Sequence, residues 1–198
     1  MKIFVMRHGE TESNRKRLYQ GSSDIPLNEN GIRQVEFAQA KIGALAQRSD
    51  RIYTSPLQRA VKTCEIVTQA PPDRLIRDDR LREMSFGVLE MTPFDIHDHS
   101  EGSVFQPLTY RPPEGGERFE DVIERAGAFL EDVKRESAEQ VFVTCHGALM
   151  RCMLVYIGEI ALSQVWDQKV ENCMIFELAY DGAHFSLVEV HHPLREMP

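Results

Sequence analysis

Three short strand-like runs, each followed by a helical pattern, constrain the fold of this chain more than any other feature. Ile3-Phe4-Val5-Met6, Arg51 to Thr54 and Val141-Phe142-Val143-Thr144 have strand length, and the last has the continuous apolar character of a strand buried on both faces. After the first, Asn28 is predicted to cap a helix whose apolar positions Val35, Ala38, Ile42 and Leu45 keep a helical period. After the second, Ser55-Pro56 predicts a cap and a first-turn proline, ahead of a buried stripe of Leu57, Ala60, Val61, Cys64 and Val67. After the third, a helix is expected from Ala148 to Tyr156. This alternation predicts an α/β fold: three α/β/α layers around a mostly parallel central sheet.

Two further features complete the outline. Phe119, Val122, Ile123, Ala126, Phe129, Leu130 and Val133 make one wide apolar helix face. Strands at Met174 to Tyr180 and Phe185 to Val190 are joined by Asp181-Gly182, a hairpin signal. At 198 residues, 42% hydrophobic, the chain suits one domain over 1–198 rather than two cores. Between Glu90 and Gly116 the periodicity fails and prolines and glycines gather, which predicts a cap insertion near 91–116, either loop-rich or a broken helix.

Charge limits the partners. A net charge of −8 lacks the basic excess needed to displace counterions, so a nucleic-acid partner is not expected. An anionic ligand on such a protein requires a local positive focus. The opening Met1 to Met6 is too brief for a secretory apolar region, and charge or proline interrupts every later apolar run, so the expectation is a cytoplasmic protein without a membrane partner. Cys64, Cys145, Cys152 and Cys173 have neither paired spacing nor disulfide density and read as reduced core thiols. The oligomeric state stays open, with a homodimer among the alternatives.

Ligands of open α/β sheets collect beyond the carboxyl ends of the strands, where this sequence places its reactive residues. Arg7 can clamp phosphate oxygens in a fixed fork, Gly9 lets the main chain come close, and a neutral His8 can attack phosphorus. His146 also follows a strand. Cys145 is its neighbour, but adjacent strand residues point to opposite faces, which argues against a nucleophile-base pair. His97 and His99, two residues apart in a loop-like stretch, lack a third ligand of clear geometry and read as a solvated or substrate-facing loop; no metal site is assigned.

The run Arg7-His8-Gly9-Glu10-Thr11-Glu12-Ser13-Asn14 resembles the opening signature of the histidine phosphatase superfamily, the phosphoglycerate mutase-like family. Ser55-Pro56-Leu57-Gln58-Arg59-Ala60 resembles its second signature, Thr144-Cys145-His146-Gly147 its late His-Gly motif and Leu81 to Gly87 its acid segment. Leu18 to Leu27 is similar to its phosphate-side loop. The resemblance implies that His8 is the nucleophile, that Arg7, Arg59 and His146 steady the phosphoryl group, and that Glu83 is the proton donor. Asn14, Gln20, Gly21 and Gly147 would join them in binding substrate. No cofactor is implied, because cationic side chains supply the charge.

The acid segment departs from the common Trp-Glu-Gly continuation, reading Leu89-Glu90-Met91. It also lacks the tyrosine-glycine-rich extension that closes mutases, and this favours a phosphoric monoester hydrolase of the histidine acid phosphatase type. The substrate would be a small phosphorylated metabolite, and specificity could be broad. The alternatives are phosphoglycerate mutase-type transfer, α-ribazole phosphatase activity and a non-catalytic phosphoester sensor. Selectivity is expected from Met91 to Pro113, through Phe94, Phe105, Tyr110 and Arg111.

Overall fold

The structure, a computed structural model, describes residues 1–197. Strands β1 (Lys2–Arg7), β2 (Arg51–Thr54), β3 (Leu75–Arg77), β4 (Gln140–Cys145), β5 (Ile175–Tyr180) and β6 (Phe185–His191) form one sheet in the order β3-β2-β4-β1-β5-β6. The first four in that order run parallel, while β5 is antiparallel to β1 and β6 to β5. The five α-helices are α1 (Glu12–Lys16), α2 (Glu29–Gln47), α3 (Gln58–Thr68), α4 (Phe119–Val133) and α5 (Gly147–Tyr156).

Strand alternation divides the core into two layers. On β1, Ile3 and Val5 join the residues of α4 and α5, whereas Phe4 and Met6 join those of α2 and α3. The same happens on β4, where Val141, Val143 and Cys145 take one face and Phe142 the other. A strand buried on both faces has no polar positions to spare, which is why these runs are continuously apolar. Each such side chain removed from water contributes about 1.5–3 kcal/mol. No helix among the described residues is long and apolar enough to cross a membrane.

Several boundaries differ from the sequence expectation for identifiable reasons. Helix α3 begins at Gln58, two residues past the expected proline position, with Leu57 extended at its N-cap. Its first free amide, Gln58 N, donates to Asp24 Oδ1 at 2.7 Å, so the capping carboxylate comes from a remote loop rather than from Ser55. Strand β3 was not expected; three residues are too few for a period, and only pairing with β2 defines it. The β5–β6 connection is the four-residue stretch Asp181 to His184, held by Asp181 Oδ1 accepting from Ala183 N and His184 N.

The insertion near 91–116 is loop-rich, with turns and no helix. It is nonetheless tied to the core: Phe105 packs on Trp166, whose Nε1 donates to Val104 O at 2.6 Å. Tyr110 packs edge-on against Phe119.

Candidate active site

Sheet register brings the two strand-end histidines together. Arg7 and Cys145 are register partners on adjacent parallel strands, so the next residues, His8 and His146, leave the sheet side by side. Their ring centroids lie 5.1 Å apart, and His8 N donates to Cys145 O. Strand β2 ends in register too, with Ser55 N donating to Thr144 O.

The orientation of His8 follows from one contact. Its Nδ1 lies 2.6 Å from Gly9 O, and a carbonyl can only accept, so the proton sits on Nδ1 and Nε2 carries the free lone pair. Burial, reinforced by the nearby Arg59 and Arg7 charges, holds the pKa of His8 well below the usual histidine value. The imidazole is therefore neutral at physiological pH. Asn172 fixes the backbone beneath it by donating from Nδ2 to His8 O at 2.9 Å.

Gly9 has a different task from the one its position suggested. A Cβ there would meet Gly31 O at 2.7 Å and Val35 Cγ2 at 2.6 Å, so the missing side chain lets α2 pack against the strand end. Thr11 and Asn14 form a reciprocal capping box at α1: Asn14 N donates to Thr11 Oγ1, and Thr11 N to Asn14 Oδ1. Asn14 still lines the cleft. The Gln20 amide oxygen accepts from the Thr11 hydroxyl, which leaves the NH2 end of Gln20 as its donor at the cleft wall.

Arg59 is fully buried on α3. Its Nη1 and Nη2 donate to Ser23 O and Gly21 O, each at 2.7 Å, so the guanidinium is held by the 21–23 turn. Glu90 fixes that turn from beyond by accepting from Ser22 N, Ser23 N and Ser23 Oγ. Gly21 has φ +53°, and a Cβ would fall 2.2 Å from Glu90 Oε1. Burial pushes the Arg59 pKa down to about 10 against the pull of Glu83, so it remains a cation at neutral pH. Arg7 is likewise lowered by burial; its Nη1 donates to Val170 O at 2.7 Å.

His146 Nε2 lies 2.8 Å from Ser55 Oγ, and burial, with Arg59, holds its pKa well below the usual value. Ser55, expected to cap a helix, instead orients this ring. Glu83 sits at the N-terminus of α5, where Oε2 accepts from Ala148 N and Oε1 from Leu149 N; Oε1 also accepts from Met84 N. Its negative charge faces Arg7 and Arg59.

Four buried side-chain polar atoms among the described residues lack a protein partner: Arg7 Nε, Arg59 Nε, His146 Nδ1 and Tyr110 Oη. Three of the four belong to groups whose charges act on His8 or on one another. Leaving a buried donor unpaired costs about 1–3 kcal/mol, so three in one place describe a site built to receive acceptor oxygens. A small oxyanion carries acceptors of the kind such donors need.

The adjoining cleft, about 620 Å³, is lined by Arg7, Asn14, Gln20, Gly21, Glu83 and Gly147 on the polar side. Phe94, Phe105, His97 and His99 of the insertion and Trp166 form its outer wall. Tyr110 and Arg111 do not line it, contrary to expectation. Tyr110 is turned onto the core at Phe119, and Arg111 forms an exposed ion pair with Glu101.

Sequence reasoning missed Ser55 as a ring partner, Glu90 as the loop clamp and Arg151 as a cleft residue. Arg151 was signalled by its i,i+4 spacing from Gly147 on α5. The four cysteines are buried and free, and burial pushes their thiols up. The one three-ligand group among the described residues is Glu177, Glu189 and His191 on β5 and β6, where Glu177 is already paired with Lys2 and His191.

Comparison with known proteins places the chain in a family. The profile of the histidine phosphatase superfamily (branch 1) matches residues 3–192. A relative from Hydrogenobacter thermophilus, provisionally named phosphoserine phosphatase 2, is 31% identical, covering 94% of this chain and 93% of its own. One from Cronobacter sakazakii, provisionally named phosphoglycerate mutase GpmB, is also 31% identical, covering 91% and 85%. Among solved structures, Bacillus stearothermophilus YhfR aligns with a TM-score of 0.81 at 30% identity and covers 94% of each chain.

Proposed function

We propose, from the premise that this chain belongs to the histidine phosphatase superfamily, that it hydrolyses small phosphomonoesters through a phosphohistidine on His8 without a metal. The observation that carries this reading is the ring of unpaired donors, Arg7 Nε, Arg59 Nε and His146 Nδ1, around a neutral imidazole whose free nitrogen is Nε2. A cation clamp alone would bind phosphate; a nucleophile held in the reactive tautomer beside it goes further than binding requires.

In the first step, His8 Nε2 attacks phosphorus as the ester P–O bond breaks. Charge on the equatorial oxygens is met by Arg7 and Arg59. Leu57 N already donates to Ser55 Oγ, so the serine hydroxyl proton is free to point at His146 Nε2. That arrangement puts the imidazole proton of His146 on Nδ1, where it donates to the phosphoryl group. In its acid form Glu83 gives a proton to the departing alkoxide. As a carboxylate it then takes a proton from the water that attacks phosphohistidine, which restores His8 and releases phosphate.

The test is chemical trapping. Enzyme mixed with a labelled phosphomonoester and quenched in alkali is expected to retain one acid-labile, base-stable phosphate, absent from His8→Ala together with nearly all turnover. Substantial turnover by His8→Ala overturns the mechanism. Transfer of label to an added alcohol in preference to water assigns the mutase reaction instead.

A further inference from the structure

Glu83 stands in a stretch with no regular backbone of its own. One 3-10 turn, Asp79–Leu81, ends before it and another, Gly87–Leu89, begins after it, so among the described residues no helical or sheet ladder runs through 82–85. The amides and carbonyls of such a segment need partners from elsewhere. Here two charged side chains at α4 supply them. Arg125 Nη1 donates to Arg80 O and to Arg82 O, each at 2.7 Å, and Glu117 Oε2 accepts from Ser85 N at 2.8 Å. The residues on either side of Glu83 are thus tied to one ion pair.

The pair holds its own shape. Arg125 Nε donates to Glu117 Oε1 at 2.9 Å and Nη2 to Glu117 Oε2 at 3.1 Å, so with the two bonds from Nη1 four of the five guanidinium N–H groups are used. The side chains are 18% and 30% exposed, and desolvation at that depth cancels much of the attraction, so net stability is a weak reason for the pair. Its backbone is fixed as well: Glu117 N donates to Ser85 O at 3.0 Å, and Phe86 bridges Gly116. The Glu83 carboxylate is held from its other side by the Ala148 and Leu149 amides of α5, which lies in the same core layer as α4.

We propose that Arg125 and Glu117 are positioning residues for the general acid, setting where the Glu83 carboxyl stands relative to the ester oxygen. Neither lines the cleft, so they act through Glu83 alone. The inference rests on the reading of Glu83 as proton donor in phosphomonoester hydrolysis. Without the fork, Arg82 O and Ser85 N lose their partners and the 82–85 backbone shifts; a displacement of about 1 Å at a reacting group costs up to about a hundredfold.

Leaving groups separate this role from a structural one. Expulsion of an alkyl alcohol needs the proton from Glu83, whereas p-nitrophenolate leaves without it. The readout is kcat/KM, which reports the step that expels the alcohol, for p-nitrophenyl phosphate and for the fastest of glycerol 3-phosphate, glucose 6-phosphate and phosphoserine. In Arg125→Met and in Glu117→Gln the alkyl value should fall about tenfold more than the aryl value, while inhibition by inorganic phosphate stays within about twofold of wild type. Arg125→Lys keeps the charge but cannot span two carbonyls and a carboxylate, so it should show the same selective loss; it and Glu117→Gln read the same ratio should the methionine variant fail to fold. In a Glu83→Gln background, Arg125→Met should leave the alkyl-to-aryl ratio nearly unchanged, because the acid it positions is gone.

Equal losses on both esters make the pair a structural support and overturn the proposal. So does full activity in Arg125→Lys, which would make charge rather than the fork the active element, or an additive loss in the Glu83→Gln background. Wild-type turnover separates the two ideas. Hydrolysis with an unchanged ratio in the variants sinks this inference alone, while no hydrolysis of any ester by the wild type sinks the phosphatase reading with it.

Discussion

Lowering the pH from 7 to 5 should destabilise this protein through its two strand-end histidines. Both are neutral in the fold because burial and the neighbouring arginines hold their pKa values well below 6.5. In the unfolded chain each binds a proton as the pH falls through about 6.5, so the unfolded state takes up more protons and is favoured. The sign is therefore loss of stability with acid, beginning near the unfolded pKa and continuing until the folded pKa values are reached. While both rings stay neutral in the native state, each contributes on the order of 1–2 kcal/mol over this interval.

That is a large fraction of the stability of an ordinary domain, typically about 5–15 kcal/mol. The assay is urea unfolding at several pH values across the window, since urea adds no ionic strength. The carboxylates whose pKa values are lowered, such as Glu177, lose their stabilising effect only as pH falls further toward and below the ordinary carboxylate range. The control is the His8→Asn/His146→Asn double variant, which should lose most of the dependence. A flat profile in the wild type, or an equal slope in the double variant, refutes the reasoning.

Three other outcomes are expected. Glu83→Gln should slow alkyl phosphate hydrolysis at least tenfold more than p-nitrophenyl phosphate hydrolysis, roughly the lower end of a general-acid effect, because an aryl oxide leaves without a proton; equal losses would make Glu83 structural. Exhaustive EDTA treatment should leave activity intact, and loss restored by zinc, manganese or magnesium would defeat the metal-free mechanism. Gly21→Ala meets both the left-handed backbone and the Glu90 carboxylate, so it should displace the turn that holds Arg59 and weaken inhibition by inorganic phosphate. Its stability should fall by about 1–3 kcal/mol, measured by thermal unfolding.

The apolar runs in the sequence were enough to locate the strands that carry the site. A strand buried on both faces is apolar at nearly every position, and Ile3 to Met6 and Val141 to Val143 satisfy that locally. The Asn28 cap was legible for the same reason, since Asn28 Oδ1 accepts from Gly31 N only three residues away. Strong local signals also led to Arg7, His8, Arg59 and His146, each within a short motif, and the structure gathers them at one sheet end.

What tertiary structure decided was which distant groups meet. Ser55 carries the sequence signal of a helix cap, yet register with β4 places its hydroxyl on His146, 91 residues away. Glu90 lies in an irregular stretch and Asp24 in another, and their turn-holding contacts span 67 and 34 residues. Tyr110 and Arg111 read as cleft residues by composition, but the path of the insertion turns one onto Phe119 and leaves the other in solvent. Arg151 shares its helical pattern with many surface arginines, and only the placement of Trp166 and Gly147 around it makes it a cleft residue. Periodicity is a property of neighbours along the chain and can be read there; pairing across the sheet depends on the register and loop paths that folding sets.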